Sequence, residues 1–193
     1  MKANDIFAEA RAVHVRELKK SLSETRSQLV KVQAECDVYR AHFALGLEAL
    51  HDFESLPPGA NLRIIDGWNA ILGGRNVSKI ASEDISRMKK EYLSGYGIRE
   101  AEVDVTKLPP VTTWIVFDGK TPNSYRAGAF RVTYTGGTGA HRADRLIMDF
   151  VNTVKMLGMD VSKIVVETAD RDMLKRIESY GARVEKTHTK SNI

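Results

Sequence analysis

A chain of 193 residues, 42% hydrophobic and 28% charged, has the composition of an ordinary globular protein with room for one well-cored domain and an appendage. Its single cysteine, Cys36, excludes an intramolecular disulfide and any cysteine-based zinc cluster. The net charge of +4 is uneven, 8 Lys+Arg against 9 Asp+Glu in residues 1–60 and 21 against 16 in residues 61–193, so the second part presents a basic surface suited to a polyanion if several of its acids gather in one site.

Met1 to Val15 lacks the apolar core of a signal peptide, and no stretch approaches a membrane span. The expectation is a cytoplasmic protein with no membrane contact. From Val15 to Phe53, apolar or near-apolar residues recur with a 3-4 spacing: Val15, Leu18, Leu22, Thr25, Leu29, Val32, Cys36, Tyr39, Phe43, Gly46, Leu50, Phe53. That period predicts a long amphipathic helix with a coiled-coil seam. About 40 helical residues span roughly 60 Å, more than one small domain covers, so the helix is expected to pair between chains in a homo-oligomer, a dimer. A hairpin broken near Gly46 and folded back on its own domain is the alternative. Leu56-Pro57-Pro58-Gly59-Ala60 stops the helix, because proline cannot continue the hydrogen-bond ladder and restricts the residue before it. The division read from this is a helical segment 1–56, a linker 57–60, an α/β domain 61–187 and a tail 188–193.

Leu62 to Ile65 reads as a short buried strand that ends on Asp66, followed by Gly67 and a helix start at Trp68 to Leu72 that Gly73-Gly74 interrupts. Ser82, with Glu83 and Asp84 behind it, opens a helix carrying Ile85, Met88 and Tyr92. A second apolar strand, Trp114 to Phe117, runs into Asp118-Gly119. Lys120 to Ala129 reads as a polar loop, Phe130 to Tyr134 as a strand, and Thr135 to Arg142 as a glycine-rich turn that lacks the Gly-Lys-Ser/Thr ending of a P-loop. Ala143, Leu146, Ile147, Phe150, Val151, Val154 and Leu157 then follow the i, i+3, i+4, i+7 template of a helix ended by Gly158. Ile164 to Val166 is a third apolar strand, Asp170 caps a helix stopped by Gly181, Arg183 to Lys186 is the last strand, and 188–193 reads as a frayed tail. Strands alternating with amphipathic helices predict a three-layer α/β domain around a mostly parallel sheet.

Open α/β sheets bind ligands beyond the carboxyl ends of their strands, and there the chain delivers Asp66, Asp118 and Asp170, with Asp144 in the first turn of a helix and Asp172 close behind Asp170. Neither Asp66 nor Asp118 is needed as a carboxylate for its strand to form. Converging acids suit Mg²⁺ or Mn²⁺, which take few protein carboxylates and complete their shells with water and phosphate oxygens. No histidine-based zinc pair is evident: His14, His42 and His51 lie on the N-terminal helix, and His141 and His188 stand alone. A Ser-His-Asp reading lacks its Gly-x-Ser-x-Gly elbow.

The series Ile64-Ile-Asp-Gly-Trp-Asn69, Val116-Phe-Asp-Gly119, Ala143-Asp144 and Glu167-Thr-Ala-Asp-Arg-Asp172 resembles, over residues 61–187, the NYN domain of YacP type, a branch of the PIN-like nuclease superfamily. The resemblance implies a PIN-like (Rossmann-like) fold and a metal-dependent endoribonuclease site. Asp66 matches the acid of the Asp-Gly-Tyr-Asn motif, with Trp68 in place of tyrosine, and Asn69 matches its amide. Asp118 matches the acid after the second strand, Asp144 the first acid of Ala-Asp-Asp/Glu, and Asp170 the acid of Thr-Ser-Asp-Arg. Arg145 stands where a second acid is often found, which weakens a two-metal arrangement, and Ala169 stands where a hydroxyl residue is usual.

On this reading Asp66, Asp144 and Asp170 bind Mg²⁺ or Mn²⁺, Asp118 completes the catalytic set, and Thr168 and Asp172 order the ligands. Asn69, Arg126, Arg142 and Arg145 contact the RNA, and Trp68 or Tyr125 stacks on a base. The alternative is a catalytically inactive module of the same fold that binds RNA or protein while its coiled coil dimerises it. A phosphatase with Asp66 as nucleophile ranks last, since the second acid such chemistry expects two residues on is Trp68. The identity of the RNA, and of any ribosomal or RNA-processing partner, is not written in these motifs.

Overall fold

The structure is a computed structural model that describes residues 3–73, 80–98, 108–137 and 141–187, with the side chains of 3–10 and of Ser82 not among them. The expected tail at 188–193, Gly74, and residues 138–140 of the glycine-rich turn lie outside the described residues. The protein is an α/β chain with a six-stranded, mostly parallel sheet preceded by a long helix. It divides into two compact units, Met1–Arg40 and Ala41–Ile193.

Helix α1, Ala3–Glu54, is continuous for 52 residues. It passes through Gly46 without a break, so the hairpin alternative does not form. One interior glycine costs about 1 kcal/mol, too little to end a helix flanked on both sides by good helix formers. In the first unit Leu18, Leu22, Leu29, Val32 and Tyr39 are all more than half exposed, so the apolar stripe lies bare along this segment. In the second unit the last turns of α1 behave differently. Leu45, Ala49 and Phe53, spaced four residues apart on one face, are buried in the domain core. The seam read as far as Phe53 therefore stops near Phe43, which is 70% exposed. The Leu56–Ala60 turn does end the helix, but the helical residues just ahead of it already belong to the domain. Spacing alone cannot distinguish a stripe covered by a second helix from one covered by a sheet.

The strands are β1 (Leu62–Asp66), β2 (Thr113–Phe117), β3 (Pro122–Ala127), β4 (Phe130–Thr135), β5 (Ile164–Thr168) and β6 (Arg183–Lys186), in the sheet order β3-β4-β2-β1-β5-β6. All neighbours are parallel except β3 and β4, which form a hairpin through Gly128 at φ 60°. Strand β3 replaces the expected polar loop at Lys120–Ala129. It is an edge strand that begins on Pro122, the position where proline is tolerated in a sheet, and its polar residues carry no apolar alternation to betray it.

Helices α2 (Gly67–Leu72), α3 (Ser82–Gly95), α4 (Arg142–Met156) and α5 (Arg171–Tyr180) fill the connections. Alternate strand residues point to opposite faces. Ile64, Trp114 and Val116 meet the end of α1 together with α4 and α5, while Ile65, Ile115, Phe117 and Val132 meet Leu93 of α3 and Trp68 and Ile71 of α2. On the first face, Trp114 Nε1 donates to Thr133 Oγ1 at 2.8 Å. Arg131, on β4, donates from Nε to Asp52 Oδ2 and from Nη1 to Glu48 Oε2, both at 2.5 Å, fastening the end of α1 to the sheet. Among the described residues no helix is long and apolar enough to cross a membrane.

The connections leaving β1 run towards β2 and β4, and those leaving β5 run towards β6. The direction of winding thus reverses between the neighbours β1 and β5, which is the switch point where open α/β sheets hold their ligands.

Candidate metal centre

Asp66 ends β1 at this switch point and is 2% exposed. Its Oδ1 accepts from the backbone N–H of Asn69 at 3.3 Å, capping α2, and its Oδ2 accepts from Thr168 Oγ1 at 3.1 Å and from Asn69 Nδ2. Burial pushes the carboxyl up to about 7; the Asn69 hydrogen bonds oppose the shift, and the neighbouring Asp144 adds to it. A carboxylate held in one orientation yet starved of solvent is a group that a cation would stabilise.

Gly67 follows because no side chain fits there. A Cβ at that position would stand 2.3 Å from the Phe117 ring, and Phe117 is itself fully buried. We expect Gly67→Ala to cost about 1–3 kcal/mol or more through overpacking, read as a lower midpoint in urea unfolding; an unchanged midpoint would contradict this contact.

Asp170 caps α5, its Oδ1 accepting from the N–H groups of Asp172 at 2.8 Å and Met173 at 3.0 Å. Thr168 Oγ1 also accepts from Asp170 N at 3.2 Å, so a single buried hydroxyl joins Asp66 to Asp170. Asp118, beyond β2, takes another role: its Oδ1 accepts from the N–H groups of Arg142 at 3.0 Å and Ala143 at 2.7 Å. The carboxylate thereby pins the N-terminus of α4 to the sheet edge, favoured by the helix dipole, and so fixes the turn that carries Asp144. Asp144 lies within reach of His141, whose Nδ1 is 2.9 Å from Asp144 Oδ2. That hydrogen bond and the charge of Asp144 hold the imidazole pKa above its ordinary value. His141, Asp144 and Asp170 present ligand atoms that all lie within 4.8 Å of one another.

Of the acids named from sequence, Asp144 and Asp170 thus come together with His141, while Asp66 stands outside that group and is tied to Asp170 through Thr168; Asn69 and Asp118 serve as hydrogen-bonding supports. Others do not. Asp172 has a side chain that is 91% exposed and faces Lys175 at 3.8 Å rather than the acids. Arg126 donates to the Pro109 carbonyl at 2.6 Å and pairs across the hairpin with Arg131, level with Trp114, roughly 10 Å short of the carboxyl edge at about 3.3 Å per residue. It stands away from the acids because β3 turns back along the sheet. Tyr125 is partly buried against the second apolar cluster. Arg142 is at the edge, but its Nη1 donates to the Gly136 carbonyl, and a Cβ at Gly137 would collide with its guanidinium. Arg145 is exposed one residue beyond Asp144.

Trp68 packs edge-on against Phe117 at 5.2 Å between centroids and donates Nε1 to the Asp118 carbonyl at 3.0 Å. Its other side lines an open cleft of about 590 Å³ with Lys89, Asp118, Lys120, Asn123 and Tyr134. The Lys89 ammonium stands 4.7 Å over the Tyr134 ring. Sequence reading left out His141, Lys120 and Tyr134, and took Lys89 as ordinary basic surface. Only His141 carried a local signal, its three-residue spacing from Asp144 at a helix start. No family model, no curated protein and no solved structure matches the chain.

Proposed function

We propose that the protein is a metal-dependent endoribonuclease with a three-layer PIN-like domain, hydrolysing phosphodiester bonds of single-stranded RNA. The observation that carries this reading is the approach of Asp144 and Asp170 at the switch point of a parallel sheet, beside Asp66, a carboxyl pushed up to about 7 by burial and by Asp144 and tied to Asp170 through Thr168. The donor set fits a divalent cation: the carboxylates of Asp66, Asp144 and Asp170 are the hard oxygen ligands that Mg²⁺ or Mn²⁺ takes. Bound there, such an ion would supply a more acidic water and would offset charge on the phosphate.

The chain's own groups divide the remaining work. Asn69 and Thr168 orient Asp66, and Asp118 holds α4 in place for Asp144. Lys89 and Lys120 bring positive charge to the adjoining cleft, where Trp68 offers an apolar face to a base, the Tyr134 ring being engaged by Phe117 and Lys89. Arg145 adds exposed positive charge beside Asp144. The test is incubation of the purified chain with end-labelled single-stranded RNA in Mn²⁺, in Mg²⁺ and in chelator. Internal cleavage dependent on the ion is expected; RNA that is bound but intact in both ions would transfer the case to the inactive binding module.

We further propose that α1 pairs with a second copy in a parallel dimer. The bare stripe from Leu18 to Tyr39 supports it, and in parallel register Glu35 faces Arg40 of the second copy, an attractive g–e pairing. Cys36, exposed and free, occupies a seam position and would meet its own counterpart. Mild oxidation is therefore expected to yield a covalent dimer on a non-reducing gel, absent in Cys36→Ser. A monomer in sedimentation at tens of micromolar would refute the pairing.

A further inference from the structure

The carboxylates of the candidate centre do not stand alone. At the start of α4 an imidazole nitrogen, His141 Nδ1, lies 2.9 Å from Asp144 Oδ2, and with Asp170 the three ligand atoms fall within 4.8 Å of one another. Cations with ligand bonds of about 2.0–2.2 Å hold adjacent ligands about 3 Å apart and opposite ones about 4.4 Å apart. The His141–Asp144 distance already has that spacing, and a small movement of the side chains brings all three atoms to it. Three elements converge to make it: Asp170 is locked by its own cap bonds at the head of α5, Asp144 is positioned by α4, and His141 precedes α4 with φ 63° and ψ 29°. Asp66, 2% exposed and close enough to Asp144 to feel its charge, lies outside this trio and supports it from the sheet side through Thr168.

We infer that His141 is a nitrogen ligand of the bound ion, which makes the centre a mixed imidazole–carboxylate site that selects Mn²⁺, or a later first-row ion, over Mg²⁺. The inference rests on the metal-dependent reading above and adds to it the identity of the cofactor. Imidazole suits first-row transition ions, whereas Mg²⁺ prefers an all-oxygen shell and keeps its waters. A purely carboxylate centre would accept both ions on similar terms. An imidazole in the shell gives the transition ion a bond that Mg²⁺ gains little from. The ring reaches the cluster from the exposed side, its own side chain 76% exposed against 13% for Asp144, so it can adjust to the ion while the acids stay fixed.

The test uses the full chain without an affinity tag, and the readout is the ion itself. Pulsed EPR of bound Mn²⁺ is expected to show ¹⁴N modulation from a directly coordinated imidazole in the wild type, and none in His141→Ala. By calorimetry the substitution should weaken Mn²⁺ binding at least about tenfold, the loss that even an outer-shell substitution can cause, and weaken Mg²⁺ binding less than about twofold. His141→Gln keeps a polar side chain at the helix start and should behave like His141→Ala, so a folding effect of the alanine is recognised. An all-oxygen Mn²⁺ spectrum in the wild type, ¹⁴N modulation that survives His141→Ala, equal losses for the two ions, or no Mn²⁺ binding would each overturn the inference. Ion-dependent RNA cleavage with an all-oxygen spectrum would sink this inference and leave the nuclease reading standing. Nitrogen coordination without cleavage would do the reverse.

Discussion

Asp66→Asn is expected to abolish ion-dependent RNA cleavage, lowering the rate at least about 100-fold, because a cation centre that loses a buried carboxylate forfeits several kcal/mol of charge stabilisation and each 1.36 kcal/mol is about tenfold in rate. The same substitution carries a second signature that a damaged fold would not show. Burial and the nearby Asp144 raise the Asp66 carboxyl to about 7 in the folded protein, against about 3.9 in an unfolded chain. Between these values the native state keeps a proton that the unfolded chain has released. Stability of the ion-free wild type therefore falls as pH rises from about 4 towards about 7, and is flat beyond. An asparagine has no proton to lose. The thermal midpoint of Asp66→Asn relative to wild type, in chelator, should rise between pH 4 and pH 8, whatever constant offset its altered hydrogen bonds introduce. Adding Mn²⁺ at pH 8 should then raise the midpoint of the wild type by ligand linkage and raise that of the variant less, since His141, Asp144 and Asp170 remain. A variant that cleaves RNA normally, or a midpoint difference independent of pH, would remove Asp66 from the centre.

Arg131→Ala should be the most destabilising of the substitutions considered, at about 3–5 kcal/mol, the usual result of removing one partner from a buried ion pair. The Arg131 and Asp52 side chains are 10% and 7% exposed and meet at 2.5 Å, and Ser124 Oγ accepts a further Arg131 hydrogen bond at 2.9 Å. Removing the guanidinium leaves the Asp52 carboxylate buried without its ion-pair partner. Removing both charges together, as Arg131→Met with Asp52→Leu, should restore most of the loss, since apolar replacement of a whole buried pair is often neutral or better. Urea unfolding at pH 7 measures both. A single-variant loss below about 1 kcal/mol would mean that the end of α1 is held to the sheet by its apolar contacts alone.

The central parallel strands β2 and β5 were legible because they are buried on both faces and so read as unbroken apolar runs, Trp114 to Phe117 and Ile164 to Val166. Helix α4 was legible for the complementary reason, a clean 3.6-residue stripe from Ala143 to Val154. Strand β3 was not: an edge strand with a wet side needs no apolar signature, and Pro122-Asn-Ser-Tyr-Arg reads like any polar loop. The strand also sets where Arg126 lies: the hairpin returns it level with Trp114, away from the carboxyl edge where a loop was expected to carry it. Asp172 was grouped with Asp170 by proximity in the chain, yet a helix cap directs residue i and residue i+2 to different surroundings. His141 was set aside as solitary because its neighbour Asp170 is remote in sequence.

By itself, then, the sequence determined the alternation of strands and helices, the long helix, and which acids end strands or open helices, since these depend on local periodicity and on residues that start or stop an element. The tertiary structure alone decided the rest. It gave Phe53 to the domain core and left Leu18 to Tyr39 bare, it turned Asp118 into the cap of α4, and it brought ligand atoms of His141, Asp144 and Asp170 within 4.8 Å of one another. Those outcomes depend on distances between segments far apart in the chain, and strand order and winding direction, rather than any local pattern, set them.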